Sequence, residues 1–147
     1  MELIIKKFYE LSLDELFDIY ELRSEVFVVE QNCVYQDIGE EDKLAYHVFF
    51  KENGKIASYC RVFMKYPDTN TAIIGRVISR GNMRGKGVGL MVVKEGKKIA
   101  FDRLNAKKIV IHAQLYAKGF YEKAGFSVSS DEFMEDGIPH VEMSLEK

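Results

Sequence analysis

The sequence predicts an α+β domain built on a mixed, mostly antiparallel sheet with flanking helices. Three observations lead there. Residues 46–51 alternate in polarity, Asn53-Gly54 forms a two-residue hairpin turn, and residues 56–64 supply the return strand. The Val/Ile-rich run 73–78 is followed by a polar turn at 79–83, by Arg84-Gly85-Lys86-Gly87-Val88-Gly89, and by a helical pattern ending near Leu104. A second apolar run at 108–112 follows that helix. The two runs are therefore parallel strands joined by a right-handed crossover.

Each element has a local reason. Residues 3–8 form a first strand. Ser12-Leu13-Asp14-Glu15 is a capping box, with Leu11 and Leu16 placed as a hydrophobic staple. The helix it opens runs to about residue 28, with Leu13, Leu16, Phe17, Tyr20 and Phe27 expected on its apolar face and Arg23 near its end. Residues 29–42 have no period and an acidic end, and read as a loop whose carboxylates form a negative rim. Tyr66-Pro67-Asp68-Thr69-Asn70 is a turn into the central strand at Ala72. Beyond the glycines, Gly89, Val92, Val93, Gly96, Ile99, Ala100 and Leu104 fall at helical spacing toward the sheet, with Lys94, Lys98 and Asp102 opposite. Asn105 stops that helix. Residues 115–124 form a short helix ended by Gly125, residues 126–128 a strand, Asp136-Gly137 a turn, and Val141, Met143 and Leu145 alternate in a last strand. Residues 1–147 carry no repeat or linker and read as one domain.

Composition excludes several functions. A net charge of −2 provides no basic field for nucleic acid. No apolar run has the length of a membrane span, and the charged first residues do not resemble a signal peptide. Cys33 and Cys60 are isolated thiols, which fits a reducing cytoplasm. No Cys/His spacing suggests zinc, so no metal is expected.

A strand, a glycine loop and a helix start make an anion site. The first helical N–H groups lack partners, and the helix dipole adds positive potential. Arg84 and Lys86 add charge. The spacing fails the Walker pattern, because Gly81 stands one residue too close and Gly87 replaces the metal-binding hydroxyl; it also fails Gly-x-Gly-x-x-Gly. It does fit Arg/Gln-x-x-Gly-x-Gly/Ala through Arg84, Gly87 and Gly89, and so resembles the acyl-CoA pyrophosphate loop of the GNAT (Gcn5-related) N-acetyltransferases. Residues 114–126 resemble that family's second signature through Ala117, Tyr121, Glu122, Lys123, Gly125 and Phe126, with Gln114 in place of the usual Asn and Phe120 in place of Leu. Val26-Phe27-Val28-Val29-Glu30-Gln31, Cys33, Tyr35 and residues 135–140 are similar to the small ElaA-like group.

The resemblance implies a GNAT fold with a splayed parallel pair at the centre of the sheet. It implies direct acetyl transfer from acetyl-CoA to the primary amine of a small molecule or lysine-like side chain. The pantetheine would pair near Val77, Ile78 and Ser79, the pyrophosphate would lie on Gly85, Lys86, Gly87, Val88 and Gly89 beside Arg84, and Gln114 would offer a further contact. Tyr121 matches the general acid that protonates the departing thiolate. Glu30, His47 and His140 are the open candidates for a base. Cys33 would be a nucleophile only in a departure from direct transfer. Arg76, inside a strand, requires a partner, either an ion pair or the cofactor. A non-catalytic acyl-CoA-binding domain is the alternative, and the chain is expected as a monomer or homodimer.

Overall fold

Asn53 and Gly54 both take positive φ, 53° and 77°, and turn β2 (Tyr46–Glu52) back onto β3 (Lys55–Met64). This hairpin is part of an eight-stranded sheet in a computed structural model that describes all 147 residues. β1 (Glu2–Lys7) pairs outside β2, and β4 (Thr71–Ser79) pairs antiparallel to β3. β5 (Lys108–Gln114) lies parallel to β4, and β8 (Ile138–Glu146) lies antiparallel to β5, with β6 (Ser127–Val128) and β7 (Phe133–Glu135) both on β8. The α+β class, the hairpin and the parallel crossover are all as the sequence predicts.

Helices cover both faces. α1 (Leu13–Arg23) begins at the Ser12 capping box, where the Glu15 N–H donates to Ser12 Oγ at 3.0 Å and the Ser12 N–H to Glu15 Oε1 at 2.8 Å. It continues as a π-helical turn through Ser24–Glu30. α2 (Glu41–Leu44) is a single turn, α3 (Val88–Lys98) carries the crossover, and α4 (Lys118–Lys123) follows β5. Val92, Val93, Ile99 and Ala100 pack on one face of the sheet with Val48, Val62, Ile74 and Ile111, while Ile19, Leu22 and Val26 pack on the other with Phe49, Tyr59 and Ile78. The apolar face expected for α1 is corrected in part: Tyr20 and Phe27 do pack against the Ile19, Leu22 and Val26 cluster. Leu13 and Phe17 are 86% and 64% exposed, and the buried line is Ile19, Leu22, Arg23 and Val26. Turning the helix that way brings Arg23 inside, where two aspartates meet it.

Those aspartates correct the acidic loop. Arg23 is fully buried and gives Nη1 to Asp42 Oδ1 at 2.6 Å, Nη2 to Asp42 Oδ2 at 3.2 Å, and Nε to Asp37 Oδ2 at 3.0 Å. Arg61 on β3 gives Nη1 to Asp42 Oδ1 at 2.8 Å, and Arg76 on β4 gives Nε to Asp37 Oδ1 at 2.7 Å. Tyr35 donates its hydroxyl to Asp37 at 2.9 Å. Asp37 and Asp42 are thus not a solvated rim but the anionic half of a buried network joining α1, β3, β4 and residues 35–42. Arg76 has its partner, a protein carboxylate.

His47 is also corrected. It is fully buried beneath this network, its Nε2–H donating to the Asp42 carbonyl at 2.8 Å and its Nδ1 accepting from the Tyr59 hydroxyl at 2.7 Å. Burial lowers its pKa, and the bond to Asp42 offsets this only in part. Fully buried and with both nitrogens used, His47 ties α2 to the sheet and is not a base.

At β4 the register slips. Arg61 faces Gly75 but Tyr59 faces Ile78, so Arg76 and Val77 together oppose Cys60, and Arg76 takes φ 53°. The extra residue reverses the strand's alternation. Ile74 points to the α3 face, yet Ile78, four residues on, packs on the α1 face. Val77 is turned toward α3, and Ser79 follows, its Oγ lying against Gly89.

Burial alone would raise the Asp42 carboxyl; the hydrogen bonds and charge of Arg23, then the charge of Arg61, outweigh it and hold its pKa below the ordinary value. Removing the carboxylate leaves two buried guanidiniums short of a partner. Asp42→Asn is expected to cost about 3–5 kcal/mol in denaturant unfolding. In the wild type the contribution is complete above about pH 4, the unfolded value, and is lost as pH falls from there through the lower folded value. Asp42→Asn unfolding curves should accordingly show less acid dependence below about pH 4 than wild type.

Candidate active site

The parallel pairing of β4 and β5 is short: Thr71 to Ile73 face Lys108 to Val110. β4 runs on to Ser79 and β5 to Gln114, each still paired on its outer side. Beyond Ile73 and Val110 the two inner edges part and carry unpaired backbone groups. A cavity of about 590 Å³ occupies the gap. Gly75, Val77 and Ser79 line it from β4, Ile111, His112 and Gln114 from β5, and Tyr121 from α4; Glu30, Gln31, Glu135 and His140 close it from the α1 side.

The glycine loop stands at the end of this gap. Gly85 and Gly87 take φ 82° and 79°, a region that disfavours side chains, and Gly87 caps α3. The first bond of the helix runs from the Met91 N–H to the Gly87 carbonyl at 3.1 Å, so the amides before it have no partner within the helix. A Cβ on Gly89 would lie 2.7 Å from Ser79 Oγ and 3.1 Å from the Phe120 ring, so glycine lets the helix start sit directly on the end of β4. Arg84 gives Nε to the Ser79 carbonyl at 3.2 Å and Nη2 to Glu30 Oε2 at 2.7 Å, both residues being half-exposed. Glycines with positive φ, free amides, Arg84 and exposed Lys86 suit a pyrophosphate, and the parted strand edges suit an amide-bearing arm.

Tyr121 lies on the α3 face, packed edge-on against Phe120 and Phe126 at 5.0 and 6.3 Å between ring centroids. Its hydroxyl makes no hydrogen bond within the chain and borders the cavity. Burial, and to a lesser degree Cys60 and Tyr116, raises its pKa above the ordinary value of about 10, so it keeps its proton at neutral pH. Gln114 and Gln31 exchange amide hydrogen bonds at 3.2 and 3.4 Å, so Gln114 reaches the cavity already tethered to the turn after α1.

Seven of the residues singled out from sequence, Val77, Ser79, Arg84, Gln114, Tyr121, Glu30 and His140, line this one cavity, and Gly85 through Gly89 form the loop beside it. The Ile78 side chain points to the opposite face, which leaves its backbone alone for any contact. His47 lies elsewhere. Sequence reasoning missed His112 and Glu135. The signal for His112 was its place two residues before Gln114, which puts both on one face of β5. Glu135 opens the segment 135–140 that resembles the ElaA-like group and borders the predicted turn at Asp136-Gly137, but nothing in that resemblance gave it a role. The Cys33 thiol donates to the Asp136 carbonyl at 3.3 Å and ties the long loop to that turn. No group of three or more His, Cys, Asp or Glu residues is arranged to hold a metal ion, and no helix is long and apolar enough to cross a membrane.

Comparison with known proteins gives a consistent result. The family described as acetyltransferase (GNAT) domain matches residues 13–147. A UPF0039 protein of Schizosaccharomyces pombe is 38% identical over 99% of this chain and 97% of its own. Protein ElaA of Escherichia coli is 34% identical over 93% of this chain and 91% of its own, and its crystal structure superimposes with a TM-score of 0.92 over 99% of both chains. The crystal structure of an acyl-CoA N-acyltransferase from Pseudomonas aeruginosa superimposes with a TM-score of 0.89 at 29% identity, covering 98% of this chain and 99% of that one.

The loop geometry generates a direct test. Gly87→Asp places a carboxylate at the mouth of the anion site, where it repels a pyrophosphate. Calorimetry should show coenzyme A affinity reduced by at least about tenfold, with the thermal unfolding transition retained. Unchanged affinity in the folded variant would remove the loop from coenzyme A binding.

Proposed function

The chain belongs to the GNAT acetyltransferase family, within its ElaA-like group, and from that premise we propose that it moves an acetyl group from acetyl-CoA directly to a primary amine of a small molecule or lysine-like side chain. One observation carries the reading. A protonated tyrosine hydroxyl with no partner in the chain borders the gap where two parallel strands part, and that gap opens beside an anion-binding helix start.

Bound acetyl-CoA supplies an activated thioester. The chain's own part begins with the amides from Gly85 to Gly89, which receive the pyrophosphate, and with Arg84, held over the loop by Glu30 and the Ser79 carbonyl. The parted edges near Val77 and Ser79 give the arm backbone partners, and the bulge at Arg76 and Val77 sets which face those residues present. Tyr121 then offers its proton to the sulfur as the thiolate leaves; its raised pKa keeps that proton available until charge develops. Residues around Tyr121, Phe120 and Phe126 are apolar, which strengthens a hydrogen bond to a thiolate.

The acceptor side is the other wall. Glu135 and Asp136 border the cavity, and their negative charge favours an ammonium-bearing acceptor. Asp37 and Asp42 do not contribute, being held by buried arginines. Glu30 engages Arg84 at 2.7 Å, so its first task is to position that arginine.

Tyr121→Phe removes the proton and keeps the ring. The expected result is a turnover number lower by about 10²–10⁴-fold in a free-thiol release assay, with coenzyme A affinity changed far less. Equal steady-state rates in the two proteins would exclude Tyr121 from the chemistry, and no thiol release by either would favour the non-catalytic binder.

A further inference from the structure

On the α1 face of the cavity stands a group that no family signature assigns. His112 on β5 gives Nδ1 to Glu135 Oε1 at 3.0 Å, and His140 Nε2 lies 3.6 Å from Glu135 Oε2. The Phe133 ring sits between the two imidazoles, edge-on to His112 at 5.3 Å and stacked on His140 at 6.0 Å. All three polar residues border the cavity that Tyr121 borders from the opposite face.

Hydrogen bonding decides what each nitrogen can do. A carboxylate only accepts, so His112 Nδ1 carries the proton of that bond and Nε2 of the neutral ring keeps its lone pair. His140 Nδ1–H donates to the Ile138 carbonyl at 2.7 Å, and its Nε2 faces the other oxygen of the same carboxylate. His140 is 7% exposed and enclosed by Phe133, whereas His112 is 46% exposed and can pass a proton to water. Glu30, the remaining candidate, is bound to Arg84.

We propose that His112 is the general base for the acceptor amine and that Glu135 is its positioning residue. This rests on the acetyltransferase reading above. The ammonium of the acceptor gives one proton to His112 Nε2. The neutral nitrogen attacks the thioester carbonyl; the C–N bond forms and the C–S bond breaks. The sulfur takes the Tyr121 proton, and Tyr121 is refilled by the second proton that nitrogen sheds on becoming an amide. His112 returns the first proton to solvent. Base and acid therefore act from opposite faces of one sheet, through the gap between β4 and β5.

Other charges near His112 leave Glu135 as its partner. Glu142, opposite His112 in the β5–β8 register, accepts the Ser129 hydroxyl at 2.9 Å. Across the cavity Arg76 is bound to Asp37 and Arg84 to Glu30. Cys33 donates to the Asp136 carbonyl and Tyr35 to Asp37. Asp136 and the tyrosines 116 and 121 complete the titratable lining.

The test has two arms. Nitrogen-15 NMR of histidine-labelled protein reads the dyad without turnover. Above pH 8, wild-type His112 should carry its proton on Nδ1, and in Glu135→Ala this tautomer should give way to a mixture. A proton on Nε2 of wild-type His112 would overturn the proposal. The second arm measures kcat/KM against pH with acetyl-CoA and benzylamine, putrescine or Nα-acetyl-lysine amide, using whichever turns over. His112→Gln should lower kcat/KM by about 10²-fold or more and abolish the acid limb, with coenzyme A affinity retained. Glu135→Ala should lower kcat/KM by a smaller factor, with coenzyme A affinity again retained. A limb that survives in His112→Gln, or that disappears in His140→Gln alone, would also overturn it. If wild-type protein acetylates no amine, the acetyltransferase reading fails on that ground, and the NMR arm still decides whether the dyad exists.

Discussion

Two buried aspartates, each gripped by more than one arginine, hold the rest of the molecule in place. Asp37 and Asp42 draw in Arg23 from α1, Arg61 from β3 and Arg76 from β4. Ion pairs of this kind add little stability over a well-packed apolar alternative, but they tolerate only one arrangement of their members. Here that arrangement anchors residues 35–42 against the sheet and sets the rotation of α1. It also seats Arg76 at φ 53°, the residue on which the β4 bulge turns. The wall of the cavity on the α1 side follows from a charge constraint.

The bulge and the parting of β4 from β5 do different things. Parting leaves two unpaired edges and a gap through the sheet. The bulge rotates the end of β4 so that Ser79 meets Gly89 at the start of α3 while Ile78 fills the core beneath α1. A strand without the extra residue would reverse both. The outcome is a site with two sides: Tyr121 and the glycine loop on the α3 side, His112, Glu135 and His140 on the other. A reaction that must deprotonate one group and protonate another gains from keeping its acid and base apart, since each pKa can then be set by its own surroundings.

What could be read from the sequence was what local chemistry encodes. Ser12 with Glu15, Asn53-Gly54, and Gly85 with Gly87 each act within a few residues, and all appear where expected. The parallel crossover was legible because handedness and the intervening helix leave one topology. Arg76 was legible as a group needing a partner, but its partner was not, because Asp37 lies 39 residues away. An exposed carboxylate and a buried one look alike in a sequence, which is why Asp37 and Asp42 read as a rim. Leu13 and Phe17 misled for the same reason: apolar spacing suggests a face, and long-range packing decided that Ile19, Leu22 and Val26 form it. His112 and Glu135 come from strands whose pairing through β8 has no local mark.

The gap between β4 and β5 is proposed to receive an acyl-CoA thioester between Tyr121 and His112. A crystal structure of the protein with bound coenzyme A tests it most directly. The pyrophosphate should lie on the amides from Gly85 to Gly89, the pantetheine between the parted strands, and the sulfur within about 3.5 Å of the Tyr121 hydroxyl. Coenzyme A bound outside the gap, or its sulfur far from Tyr121 with the glycine loop empty, would contradict it.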